Sequence, residues 1–138
     1  MRVVLDTNLL ISALISKHGA PASLLDAWGA KRFELISSEE QLEEFKAVSR
    51  RDRLIPFIQR SDVGRFVNHL RSNARILGKL PPVDRSIDPA DNFLLAMAEA
   101  GGADYLVSGD RRGVLALVQH NRTQIVTARK MMSTLGIE

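Results

Sequence analysis

Apolar and polar positions along the chain switch between two periods, and the switches mark out its elements. Val3, Val4 and Leu5 form a short run, apolar on both faces, as a central strand of a parallel sheet requires. Leu9, Leu10, Ala13 and Leu14 follow at helical spacing; Gly19, Ala20 and Pro21 interrupt it, and Ser23 to Trp28 resumes it. Phe33 to Ile36 reads as a second strand. Ser38 with Gln41 three residues on is a capping-box pattern that opens a helix with Leu42, Phe45 and Val48 on its apolar side. Pro56 breaks the chain, and Val63, Phe66, Val67 and Leu70 predict a helix over Ser61 to Asn73. Arg75 to Leu77 is expected as a short edge strand and Pro81-Pro82 as a loop. Asp88-Pro89 is expected to cap and start a helix with Leu94, Leu95 and Ala98 on one face and a stop at Gly101-Gly102. Tyr105 to Val107 then reads as a strand, Val114 to Val118 as a short helix, Ile125 and Val126 as a last strand, and Ala128 to Leu135 as a last helix.

This alternation predicts a single α/β domain over residues 1–138, a three-layer α/β/α sandwich around a central parallel, Rossmann-like sheet of about five short strands. In open sheets of this kind ligands bind beyond the carboxyl ends of the strands. Asp6 stands directly after the first strand, and Asp110 follows Tyr105 to Val107 by way of Ser108 and Gly109. Asp91 lies at the start of the helix whose Leu94, Leu95 and Ala98 face the sheet, and Glu44 borders the apolar stripe of the helix after strand two. Four acids from four separate segments can therefore converge at one end of the sheet. Left to themselves such carboxylates repel, and a divalent cation is the usual reason to keep them together; an all-oxygen set favours Mg²⁺ or Mn²⁺ over zinc. Each acid also has a purely structural role open to it. Asp6 can cap a helix, Asp91 can partner Asp88 at a helix start, Asp110 can hold a turn, and Glu44 can be a surface acid like Glu40 and Glu43.

Composition narrows the class. Hydrophobic residues at 45% and charged residues at 25% of 138 suit a globular chain rather than a disordered one. With no cysteine, disulfides, thiolate metal sites and cysteine nucleophiles are excluded. The longest apolar runs fall far short of a membrane span, and the chain opens directly on a strand, so a cytoplasmic address is expected. The net charge is only +3, but Arg50 to Arg85 holds nine basic residues against three acidic ones, which fits either a polyanion-binding face or a solvated arginine-rich surface. His18, His69 and His120 lie outside every motif and are expected at the surface, and Trp28 and Tyr105 are expected in the core.

Together, Val3-Val4-Leu5-Asp6-Thr7-Asn8, the helix Glu39 to Val48 bearing Glu44, Asp88-Pro89-Ala90-Asp91-Asn92, and Ala103 to Asp110 ending in Ser108-Gly109-Asp110 resemble, in order and spacing, the PIN-domain (PilT N-terminus) ribonucleases. The similarity runs from residue 3 to about residue 135 and looks strongest to bacterial PIN toxins of toxin–antitoxin pairs. The resemblance implies that Asp6, Glu44, Asp91 and Asp110 are the catalytic and metal-binding acids for Mg²⁺ or Mn²⁺, with Asn8 and Ser108 as supporting polar residues. It also implies cleavage of single-stranded RNA, a homodimer, inhibition by a small antitoxin protein, and no membrane partner. Arg50, Arg51 and Arg53, with Arg111 and Arg112 beside the last acid, are the candidates for contacts to the RNA backbone. At one point the sequence departs from the pattern. Many relatives carry a further acid shortly after the position of Asp110, where this chain has Arg111-Arg112-Gly113, a departure that bears on a second metal and not on the first. A catalytically silent PIN domain, acting as an RNA-binding or protein-interaction module, is the competing expectation. A haloacid-dehalogenase-like phosphatase is excluded because its second aspartate position is held by Asn8.

Overall fold

In the computed structural model, which describes residues 1–137, strand β1 (Arg2–Leu5) lies at the centre of the sheet and sends its side chains to opposite faces. Val3 and Leu5 enter one core; Val4 enters the other. The same alternation separates Leu35 from Ile36 on β2 (Glu34–Ser38) and Val107 from Leu106 on β4 (Tyr105–Val107). These strands have no solvent-facing side, which is why their sequences read as continuous apolar runs.

The sheet has six strands in the order β3-β2-β1-β4-β6-β5, with β3 over Arg75–Leu77, β5 over Gln119–His120 and β6 over Thr123–Val126. Every pairing is parallel except β5 with β6. Helices α1 (Thr7–Ile15), α2 (Ala20–Gly29), α3 (Glu39–Ser49), α4 (Arg60–Asn73) and α6 (Ala128–Thr134) contribute to the core on one face. Helix α5 (Asn92–Gly101) covers the other face with Leu94, Leu95, Met97 and Ala98. The expected three-layer α/β/α arrangement is therefore present.

Three local features differ from the sequence expectations. Strand β5 is a sixth strand, joined to β6 through Asn121 and Arg122, with Asn121 at φ 51°. Two residues are too few to show a period of two, so no sequence pattern marks them. The helix expected over Val114 to Val118 is a 3-10 turn, Val114–Leu117, and Val118 leaves it at φ 64° to enter β5. Likewise Asp88-Pro89 opens a 3-10 turn, Pro89–Asp91, and the α-helix begins only at Asn92. Asp88 Oδ1 accepts from the Ala90 N–H at 3.0 Å, two residues on, which tightens this turn.

Adjacent parallel strands bring the carboxyl ends of β1 and β4 side by side. The Asp6 N–H donates to the Val107 carbonyl at 2.9 Å and the Ser108 N–H to that of Val126 at 3.0 Å, so the ladder runs one residue past each strand. Asp6 and Ser108 thereby leave the sheet as neighbours, although 102 residues separate them in sequence.

Candidate metal centre

Asp6 caps α1: its Oδ1 accepts from the Asn8 N–H at 3.1 Å. Its Oδ2 accepts from the Ser108 hydroxyl at 2.8 Å, and the same hydroxyl accepts from the Asp110 N–H at 3.1 Å. One serine thus fixes two acids on neighbouring strands. Asp6 is only 6% exposed, and burial raises its pKa; the Asp110 charge adds to the rise, while the bonds from Ser108 and Asn8 oppose it.

Asp110 sits on a turn in which its Oδ1 accepts from the N–H groups of Arg112 (3.2 Å) and Gly113 (3.0 Å). That leaves Oδ2 facing Asp91, which ends the 3-10 turn before α5. Asp91 Oδ2 is buried and has no hydrogen-bond partner. Burial, followed by the charges of Asp6, Asp88 and Asp110, pushes the Asp91 carboxyl up to about 7. Asp88, Asp91 and Asp110 each bring a carboxylate oxygen to within 4.8 Å of the other two.

Glu44 lies at the edge of this group, half-buried on α3, where Thr7 Oγ1 donates to its Oε2 at 3.5 Å. Burial and the charge of Asp6 raise its pKa, against the hydroxyl of Thr7 and the guanidinium of Arg51. Helix α3 is aimed by Gln41, whose Nε2 donates to the Leu5 carbonyl at 2.7 Å and to Thr7 Oγ1 at 3.4 Å, while its Oε1 accepts from Ser37 at 2.6 Å. Ser38 caps α3 by accepting from the Gln41 N–H, but the Gln41 side chain bonds across to β1 rather than closing the capping box.

Of the residues singled out from sequence, Asp6, Asp91, Asp110 and Ser108 stand together, and Glu44 adjoins them. Asn8 supplies its backbone N–H, and its side chain is exposed. Arg50, Arg51, Arg53, Arg111 and Arg112 are all exposed. His18 and His69 are at the surface, His69 against the ring of the buried Trp28 with centroids 5.0 Å apart, but His120 is buried at 5% exposure, contrary to the sequence expectation. Its strand is the one that sequence pattern could not show. Three residues of the site were not singled out: Asp88, Thr7 and Gln41. In sequence Asp88 reads as a helix cap, and Gln41 as the partner of one. The spacing of Asp88 from Asp91, one tight turn, was the available signal for the former.

The centre is also shaped around one missing side chain. A Cβ at position 113 would meet the Oδ2 atoms of both Asp110 and Asp91, the latter at 2.6 Å. Glycine here lets the two carboxylates close on one another.

What this arrangement can do follows from its charge. Converging carboxylates, with pKa values raised at Asp6, Glu44 and Asp91, one buried oxygen left without a donor, and no histidine or cysteine in the set form a site for a hard cation. The donor set fits Mg²⁺ or Mn²⁺.

A family model described as PIN domain matches residues 2–112. Among solved structures, the chain is similar to PAE2754 from Pyrobaculum aerophilum, with a TM-score of 0.63 and 16% identity, over 99% of this chain and 90% of that one; at such identity the likeness speaks for the fold. No curated protein matches the sequence.

Proposed function

The chain belongs to the PIN-domain family, whose members are generally nucleases, and on that footing we propose that it is a Mg²⁺- or Mn²⁺-dependent endoribonuclease that cleaves single-stranded RNA. The observation that carries this reading is the buried, unpartnered Oδ2 of Asp91 among the facing carboxylates of Asp88 and Asp110. Asp91 and Asp110 would hold the ion, with Asp6 beside them and Asp88 completing the oxygen set. When bound, the ion supplies a Lewis acid that polarises the scissile phosphate and offsets its growing negative charge. Ser108 donates to the Asp6 carboxylate, which favours its ionised form, and holds the main chain of Asp110 by accepting from its N–H. Glu44, the outermost acid, orients the attacking water and draws on its proton through its carboxylate, Thr7 holding one oxygen in place. In-line displacement then leaves a 5′-phosphate and a 3′-hydroxyl. Arg50, Arg51, Arg53, Arg111 and Arg112, all exposed, would contact the backbone phosphates of the RNA.

The resemblance to bacterial toxins supports a further proposal: the whole chain, as one domain, acts in the cytoplasm as a homodimeric toxin held in check by a small antitoxin protein. Among the described residues no helix is long and apolar enough to cross a membrane. The rival reading, a catalytically silent module, draws on Arg111-Arg112-Gly113. Against it stands the fit of Gly113, which serves the carboxylates rather than marking their decay.

A fluorogenic single-stranded RNA with Mn²⁺, with EDTA, and with Asp6→Asn tests the enzyme reading. Cleavage that needs the metal and Asp6 is expected; undiminished turnover in EDTA would sink it. Mn²⁺ binding without cleavage by the wild-type protein would favour the silent module. Growth arrest on induction of the wild-type chain but not of Asp6→Asn is the outcome expected of a toxin.

A further inference from the structure

Residues 78–88 carry no regular secondary structure, and Ile87 among them is 76% exposed, yet this stretch delivers Asp88 and the turn bearing Asp91 to the site. Its anchor is Arg85. The N–H groups of Arg85 and Ser86 both donate to Asn92 Oδ1, at 3.0 and 2.8 Å. The Arg85 guanidinium Nη1 reaches the Gln119 carbonyl at 3.2 Å and His120 Nδ1 at 2.7 Å. The other ring nitrogen of His120 lies 3.1 Å from Glu99 Oε1, which also accepts from Asn121 Nδ2 at 2.9 Å. Asn92 and Glu99 belong to the first and last turns of α5. The contacts therefore close a ring that starts at α5, passes through the loop and the β5–β6 hairpin, and returns to α5.

The chemistry of this ring calls for an imidazole. Arginine only donates, so His120 Nδ1 accepts, and the neutral ring then carries its proton on Nε2 and donates it to the Glu99 carboxylate. An aliphatic residue at 120 would break the link between the Arg85 guanidinium and the Glu99 carboxylate. None of these groups touches the carboxylate cluster, and the mechanism above uses none of them. Their common product is the position of the main chain from Arg85 to Asp91.

We propose that Asn92 and the Arg85–His120–Glu99 chain are positioning residues of the metal centre, fixing residues 85–91 so that Asp88 and Asp91 face Asp110. This rests on the metal reading and adds to it a set of residues that do not themselves hold the ion.

Two substitutions at His120 separate its two nitrogens. His120→Asn keeps an acceptor where Nδ1 stands and loses Glu99; His120→Gln reaches toward Glu99 and leaves Arg85 only the Gln119 carbonyl. Mn²⁺ affinity is read from the paramagnetic resonance signal of the free ion, and the freedom of the loop from amide hydrogen exchange over residues 85–92. The dissociation constant is expected to rise about tenfold or more in His120→Gln and in Asn92→Ala, and by a smaller factor of about threefold in His120→Asn, which loses only Glu99; loss of outer partners of metal ligands commonly has effects of this size. Faster exchange at the amides of Arg85 and Ser86 accompanies the first two. Arg85→Gln, an exposed change that leaves the core intact, supplies a test of sign. Removing a positive charge near an acidic site would by itself tighten Mn²⁺ binding, whereas loss of the strut weakens it. Equal Mn²⁺ affinity and equal exchange in wild type, His120→Gln and Arg85→Gln would overturn the proposal and leave the metal reading standing. Absence of Mn²⁺ binding by the wild-type protein would remove the metal reading itself, and the positioning role with it.

Discussion

At Asp91 a single carboxyl concentrates the electrostatics of the site, and its sign can be worked through. Its pKa is about 7 in the fold against 3.8 without it, so the folded state holds a proton more tightly than the unfolded chain does. The stability this provides is complete below the unfolded value and is lost as pH rises through about 7. The metal-free protein is therefore expected to melt at progressively lower temperature from about pH 4 to about pH 7, the range in which the folded state holds the proton and the unfolded chain has lost it. Mn²⁺ should reverse the loss at the upper end, because an ion that binds only the folded state stabilises it. Asp91→Asn should flatten the profile; scanning fluorimetry across that range checks both, and a melting temperature that climbs with pH would contradict them. Gly113→Ala is a second test at one residue: with its Cβ against two carboxylates, it should weaken Mn²⁺ binding while the remainder of the chain stays folded.

The elements explain which acid of a helix matters. On α3, Leu42, Phe45 and Val48 are buried, and this rotation leaves Glu44 half-buried beside Thr7 while Glu43 turns out to solvent and pairs with Lys46. Glu44→Gln is expected to reduce cleavage by roughly two orders of magnitude, the usual effect of losing a group that orients or deprotonates the nucleophile. Glu43→Gln should leave the rate near wild type, and the reverse ranking would show that the outer acid has been misassigned. The helix itself is aimed by Gln41. Gln41→Leu would strand the buried Leu5 carbonyl and Ser37 hydroxyl, and urea unfolding should show a loss of about 1–3 kcal/mol.

Across the whole molecule, charge is divided between an acidic centre and an arginine-rich surface running from the end of α3. Arg51 is near enough to Glu44 to lower its pKa, so the two regions meet at the outer edge of the site. Replacing Arg50, Arg51 and Arg53 with Gln should weaken single-stranded RNA binding and reduce the slope of log affinity against log salt by about 2, since three fewer phosphates would be neutralised. An unchanged slope, measured by fluorescence anisotropy in a salt series, would return these arginines to the role of solvated surface.

Local interactions determined much of this protein by themselves. The parallel strands β1, β2 and β4 were legible because burial on both faces demands unbroken apolar runs, and the rotation of α3 because Leu42, Phe45 and Val48 recur at helical spacing. The stop at Gly102 was legible because φ 61° there suits glycine. Other features were decided only in three dimensions. Ser108 meets Asp6 because β1 and β4 are neighbours, a pairing that no local pattern encodes. Asp88 reads as a cap because its bond to Ala90 is local, whereas its approach to Asp91 and Asp110 depends on the loop being packed. His120 reads as a surface residue because two residues of strand carry no period, and it is buried because Arg85 and Glu99, distant in sequence, satisfy both of its nitrogens. Periodicity reports which face of an element avoids water; which elements share that dry space, and so which acids and donors meet there, is settled only when the sheet closes.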